Sequence, residues 1–210
     1  MSAEPHRHLS LLRSYTPADA LTIANAACGT VAILLCLEYL LERQARYVWS
    51  ALALLPLALV CDVLDGYVAR RGTRRQSLLG ADLDSLADVI SFGVAPAVLG
   101  YTLGLRGGWD MLVLTYFVVC GVSRLARFNV TAAALADAST GKVRYFEGTP
   151  IPTSITIVVL LAVAMWLGHT HDDVWLGSFR LGPATLHPLV LVYAASGSAM
   201  ISATLRIPKP

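Results

Sequence analysis

Apolar stretches long enough to cross a lipid bilayer recur six times along this chain, and they constrain its fold more than any other feature. A hydrocarbon core about 30 Å thick needs around 20 helical residues, each rising about 1.5 Å. Runs of that length lie at 17–41, 48–69, 82–105, 110–129, 151–168 and 185–205. Composition agrees: 56% of the 210 residues are hydrophobic and 14% charged, against roughly a quarter charged in soluble domains. The mean hydropathy is +0.62. So few charges cannot coat a water-soluble globule of 22.5 kDa. A disordered chain, a nucleic-acid-binding domain and a small disulfide scaffold are therefore poor fits. Cys28, Cys36, Cys61 and Cys120 form no CxxC pair and sit in apolar runs, so they read as small buried hydrophobes. The first apolar run is too long for the hydrophobic region of a cleaved signal peptide. The expectation is an all-α integral membrane protein of about six transmembrane helices. Residues 1–210 form one polytopic domain, with 1–16 as an N-terminal segment outside the membrane.

Six spans put both termini on one side, and the basic residues say which side that is. Arg7, Arg13, Arg70, Arg71, Arg74, Arg75, Arg124, Arg127, Lys142, Arg144, Arg206 and Lys209 fall with the termini, twelve in all. Four fall on the other side: Arg43, Arg46, Arg106 and Arg180. This bias predicts cytoplasmic termini, with the 70–82 and 130–150 loops on the same face. Tyr47, Trp49, Trp109, Trp166 and Trp175 lie near span ends, where amphipathic rings anchor at the interface.

Ionisable residues inside membrane helices are costly and mark function by default. They concentrate here at Asp62, Asp65, Asp84 and Asp88. In the second span, Asp62, Asp65, Gly66 and Ala69 follow i, i+3, i+4, i+7 spacing and share one helix face. In the third, Gly80, Asp84, Asp88 and Ser91 follow i, i+4, i+8, i+11, again one face. A short loop makes these helices an antiparallel hairpin, so the two carboxylate pairs can converge. Four carboxylates in one low-dielectric pocket repel unless some are protonated or cations sit among them. Hard oxygen ligands without His or Cys favour Mg²⁺, Mn²⁺ or Ca²⁺ over zinc. Two such ions would suit a phosphate-bearing substrate. Gly66 and Ala69 would let a bulky ligand approach the helix backbone, and Arg70 stands ready for a phosphate oxygen. The competing structural reading makes the aspartates helix-end caps and salt-bridge partners of the arginine cluster. It explains one such residue better than four on two matched faces.

The segment Asp62-Val-Leu-Asp65-Gly66-Tyr-Val-Ala69-Arg70, followed by Gly80-x3-Asp84-x3-Asp88, resembles the signature of the CDP-alcohol phosphatidyltransferase family. The resemblance implies a six-helix membrane enzyme, usually homodimeric. Such enzymes transfer a phosphatidyl or related group from a CDP-linked donor to an alcohol and release CMP. It further implies that Asp62, Asp65 and Asp84 bind divalent metal, with Asp88 bordering that site and acting as general base. Gly66, Ala69 and Gly80 would line the nucleotide pocket, and Arg70 would contact the diphosphate. Three stretches resemble the serine-using branch of the family: Asp84-Ser-Leu-Ala-Asp88-Val-Ile-Ser91-Phe92-Gly93-Val-Ala-Pro96, Arg124-Leu-Ala-Arg127-Phe-Asn129 and Phe146-Glu-Gly148-Thr-Pro150-Ile-Pro152. By that likeness the substrates are CDP-diacylglycerol and L-serine, the cofactor is Mg²⁺ or Mn²⁺ as two ions, and the active site faces the cytoplasm from the inner membrane.

Other polar residues admit two readings each. Thr22 and Asn25, in the first span, either touch the nucleotide or hydrogen-bond between helices. Arg124 and Arg127 either anchor a helix end or recognise an anionic group on diphosphate or acceptor. Lys142 and Arg144 read as headgroup attraction or acceptor recognition, and Ser91 as a candidate acceptor contact. His169, His171, Asp172 and Asp173 fall on the opposite side from the carboxylates and read as a solvated loop. Two competing functions stay open. One is the same chemistry on glycerol 3-phosphate or inositol phosphate, which would want extra basic side chains. The other is a cation carrier, which would favour a midplane site and repeated halves.

Overall fold

The computed structural model describes residues 16–71, 78–137, 145–202 and 206–208. The first helix, α1 (Pro17–Glu42), starts at a capping box. The Asp19 N–H donates to Thr16 Oγ1 at 3.3 Å, and the Thr16 N–H donates to the Asp19 carboxylate at 2.6 Å. Two of the helix's orphan donors are thereby satisfied. Helix α1 ends at Arg43, which takes the left-handed conformation (φ 58°) and donates its N–H to the Tyr39 carbonyl. A tight reversal follows, and α2 (Ala45–Arg71) runs back along α1 in the most extensive helix contact of the bundle. Pro56 lies within α2; neighbouring helices let such a residue stand inside a membrane helix.

The third rod is built in three parts: α3 (Leu78–Asp88), a π-helical turn Val89–Val94, and α4 (Ala95–Leu103). Pro96 has no N–H for the Phe92 carbonyl, and the N–H of Ala95 reaches back five residues to Ile90. The helix widens there, immediately after Asp88. Helix α5 (Gly108–Asp137) packs against α7 (Leu191–Ile201), and α6 (Ile155–Trp166), entered through a 3₁₀ turn at Ile151–Ser154, packs on α2 and α4.

The surface is far more apolar than that of a soluble protein. Leu34, Val60, Leu112, Val119, Val159 and Leu191 are each more than half exposed, while Thr22, Asn25, Asp65, Asp88, Ser91, Asp110 and Ser154 are buried. An apolar outside, over a core that is itself mostly apolar and encloses those polar groups, is the arrangement a lipid surrounding demands. The described helices include four long and apolar enough to cross a membrane: Pro17–Glu42, Ala45–Ala69, Gly80–Thr102 and Gly108–Val130. The fifth and sixth expected spans are shorter apolar helices, Ile151–Trp166 and Pro188–Ile201.

Two features depart from an all-α fold. Strand β1 (Tyr145–Glu147) pairs antiparallel with β4 (Arg206–Pro208), and β2 (Phe179–Leu181) pairs with β3 (Ala184–Leu186) as a hairpin. The hairpin uses residues 185 and 186, so the last helix begins only at the 3₁₀ turn of Pro188. Its neighbour His187 is tied to Asp110 at the start of α5. The Asp110 carboxylate accepts from the backbone N–H groups of His187 and Gly107, each at 2.8 Å, and meets His187 Nδ1. The 169–173 loop is likewise tethered rather than simply solvated: His171 stacks on Tyr39 and contacts its hydroxyl. Of the aromatic anchors, Trp49 and Trp166 meet edge to face. The four cysteines are free.

Candidate active site

The carboxylates converge from α2 and α3 as their helical spacing predicts. One oxygen from each of Asp62, Asp84 and Asp88 falls in a group whose members all lie within 4.8 Å of one another. Asp88 is buried and the other two are half-buried. Asp84 Oδ1 is buried with no hydrogen-bond partner. An orphaned carboxylate oxygen beside two more carboxylates is unfavourable unless a proton or a cation lies among them. An all-oxygen donor set of this size fits a hard divalent cation.

Asp65 stands beside this group rather than in it. Its carboxylate is buried and accepts from Thr22 Oγ1 of α1 at 2.7 Å. Asn25, one turn further along α1, donates through Nδ2 to Asp88 Oδ1 at 3.4 Å. Thr22 and Asn25 therefore form interhelical hydrogen bonds to the carboxylates, one for each hairpin arm. Asn25 Oδ1 is buried and keeps no partner of its own. The Ser91 hydroxyl, a candidate acceptor contact by sequence, donates to the Asn25 backbone carbonyl at 2.9 Å in the π turn. Its approach depends on Gly29: a Cβ there would stand 2.8 Å from Ser91 Cα.

Helix α5 closes the third side. The Arg124 side chain is half-buried, its Nε has no partner, and it lies within electrostatic reach of Asp88. Arg127 is exposed. Asn129 joins α5 to α3, accepting from Ser85 Oγ at 3.1 Å and approaching Asp82 at 3.5 Å. That brace was not foreseen from sequence, although Asn129 closes the Arg124–Asn129 stretch that resembles the serine-using branch. Gly66, Ala69 and Gly80 are half-buried on the helix faces that carry the aspartates. The Arg70 side chain, Lys142 and Arg144 lie outside the described residues. Ser154, whose hydroxyl is fully buried without a partner at the entry to α6, was also missed. A lone serine beside two prolines carries no periodic signal.

A membrane bundle whose hairpin carries clustered carboxylates, with an arginine within their electrostatic reach, could receive a phosphate-bearing substrate when hard cations sit among those carboxylates. The CDP-alcohol phosphatidyltransferase family model matches residues 15–196, and the chain belongs to that family. Among curated relatives, the CDP-diacylglycerol–serine O-phosphatidyltransferase of Saccharomyces cerevisiae is 43% identical over 205 residues, covering 97% of this chain and 74% of the yeast protein. The protein of the same name from Mycobacterium bovis is 38% identical over 77% of this chain, and the archaetidylserine synthase of Methanothermobacter thermautotrophicus 39% over 67%. The chain spans about half the length of each of these two, 54%. No solved structure matches.

Proposed function

We propose that this chain transfers the phosphatidyl group of CDP-diacylglycerol to L-serine, giving phosphatidylserine and CMP. The observation that carries the reading is the convergence of Asp62, Asp84 and Asp88 at the end of a hairpin whose signature belongs to the family. Serine as acceptor rests on the relatives, the yeast enzyme above all. Asp62, Asp65, Asp84 and Asp88 would hold Mg²⁺ or Mn²⁺, as two ions, and bound cations would offset the charge of the diphosphate. Gly66, Ala69 and Gly80 leave room for the nucleotide, and Arg70 grips the diphosphate.

Asp88 is the general base. Asn25 holds one of its oxygens, which fixes the carboxylate while the other oxygen faces the reacting hydroxyl. The serine oxygen attacks the phosphorus that carries the diacylglycerol. The bond from that phosphorus to the bridging oxygen breaks, CMP departs with the electron pair, and the hydroxyl proton passes to Asp88. Arg124 is available to the acceptor carboxylate or to a phosphoryl oxygen. Direct displacement needs no covalent intermediate. The twelve-to-four bias of basic residues supports an inner-membrane protein of six spans, with both termini and this site on the cytoplasmic side. The family resemblance supports a homodimer.

The test is an acceptor panel on purified protein with labelled CDP-diacylglycerol and serine, glycerol 3-phosphate, inositol or inositol phosphate. Phosphatidylserine and stoichiometric CMP are expected from serine alone. Faster transfer to a phosphorylated acceptor would overturn the serine assignment, and an absence of CMP release with every acceptor would overturn the transferase reading.

A further inference from the structure

A second polar cavity lies at the opposite end of the bundle. Arg43 follows α1, and Thr22 precedes it by 21 residues of sequence, so about 30 Å of helix separates the cavity from the aspartates. Its volume is about 390 Å³, and its lining includes Arg43, Arg106, His171, His187, Ser178 and Thr185. That size falls within the range of small-molecule sites. Among the described residues, every ionisable group of the lining is basic, and no carboxylate lines it.

Three acids nearby are already committed. Asp110 is fully buried behind His187, and its carboxylate is taken up by His187 and the Gly107 N–H. Asp173 pairs with His169, and Glu42 with Arg46 and the Tyr47 hydroxyl. The arginines, by contrast, are held without being neutralised. Arg106 donates through Nε and one terminal nitrogen to the carbonyls of Tyr101 and Thr102, each at 3.0 Å, which fixes its plane against the end of α4. Three of its five N–H donors stay available. Arg43 meets His171 Nδ1 at 3.3 Å, and Tyr39 holds the other ring nitrogen. Neither arginine forms an ion pair among the described residues. Both Arg43 and His171 take left-handed backbone conformations, φ 58° and 63°, uncommon for residues other than glycine.

Two planar guanidinium groups, the His187 imidazole and two hydroxyls around one concavity match an anion with several acceptor oxygens, while His171 holds Arg43 in place. We propose that this cavity is a binding site for a phosphate group, on the membrane face opposite the aspartates and distinct from the transferase site. Its ligand is either the phosphodiester of a lipid headgroup or a soluble phosphate, which share the recognised chemistry.

Binding of inorganic phosphate to the full chain in detergent, measured by titration calorimetry, tests the site without turnover. Wild type is compared with the Arg43→Gln/Arg106→Gln double variant, with Ser178→Trp, and with Arg180→Gln. Arg180 is exposed on β2 outside the cavity. Ser178→Trp fills an exposed position of the rim and leaves both arginines and their tethers in place, so its loss of binding does not depend on the double variant folding. A second arm releases each protein from phosphatidylglycerol-containing nanodiscs and counts retained lipid by native mass spectrometry. At least a tenfold loss of phosphate affinity, or loss of one retained lipid, is expected in the double variant and in Ser178→Trp, with Arg180→Gln unchanged. Lipid retention with weak phosphate binding identifies the headgroup as the source; the reverse identifies soluble phosphate. Equal behaviour of all four proteins in both arms would overturn the proposal. Because the aspartates take no part, this failure is separable from failure of the acceptor panel.

Discussion

Single atoms decide how the aspartates divide their work. Asp88 is the buried member of the convergent group, and Asn25 Nδ2 already occupies one of its oxygens. Asp88→Asn keeps a carbonyl oxygen for that bond and for a cation, but loses the ability to take a proton. Turnover should therefore fall by roughly 10²–10⁴-fold, the usual worth of a general base, while affinity for CDP-diacylglycerol changes little. Separate measurement of donor Kd and kcat checks this; a rate loss wholly explained by weaker donor binding would move Asp88 into a purely cation-holding role. Thr22 offers the complementary experiment. Its hydroxyl is the side-chain donor to the buried Asp65 carboxylate, and taking such a donor away costs about 1–3 kcal/mol. Thr22→Val should destabilise the protein by that amount in detergent unfolding, while Thr22→Ser, which keeps the hydroxyl, should stay near wild type. Equal stability of the two variants would show that Asp65 finds another partner.

Between helices, the site depends on how closely α1 meets the π turn. A Cβ at Gly29 would stand 2.8 Å from Ser91 Cα, a backbone atom that cannot swing aside, whereas at Gly197 the nearest atoms would be 3.3 Å away. Gly29→Ala should cost about 1–3 kcal/mol by overpacking and lower kcat, because Ser91 and Asn25 connect that contact to Asp88. Gly197→Ala, at a looser but still close contact, should cost less, and thermal unfolding with turnover on the same samples reads both. The elements that sequence foretold are those written in local periodicity. The i, i+3 and i, i+4 spacings of Asp62, Asp65, Asp84 and Asp88 gave the two faces, and a short connection gave the hairpin. The π turn was not legible, because it arises from Pro96 acting on a helix already formed. Nor was the diversion of Asp65 to Thr22, 43 residues away, or the Asp110–His187 tie across 77. Such pairings are chosen by packing and leave no mark on the residues beside them. The three-residue strands at 145–147 and 206–208 are too short to show alternation. The shortening of the last two spans follows from the same cause, since turns and a hairpin take residues that composition alone assigns to membrane.

At the scale of the whole molecule, the aspartates are also a seam. Asp62 belongs to α2, while Asp84 and Asp88 belong to α3, so the group joins two helices. A cation bound there would link two helices whose adjoining carboxylates otherwise push them apart, so it should stabilise the fold as well as support turnover. Linkage fixes the size: a ligand that binds only the folded state adds about 2.7 kcal/mol at a concentration one hundred times its Kd. Mg²⁺ or Mn²⁺ should thus raise the unfolding midpoint of the chelator-treated protein in step with recovered activity. In Asp62→Asn/Asp84→Asn, which keeps the shape of both side chains but removes two charges, the metal-free protein should equal or exceed wild type in stability, because the repulsion is gone. Its midpoint should then no longer respond to the cation, and its affinity for CDP-diacylglycerol should fall together with turnover. Scanning calorimetry of both proteins with and without chelator makes the comparison. A wild type whose midpoint and activity are both indifferent to chelation would show that protons, not metal ions, keep these three carboxylates together.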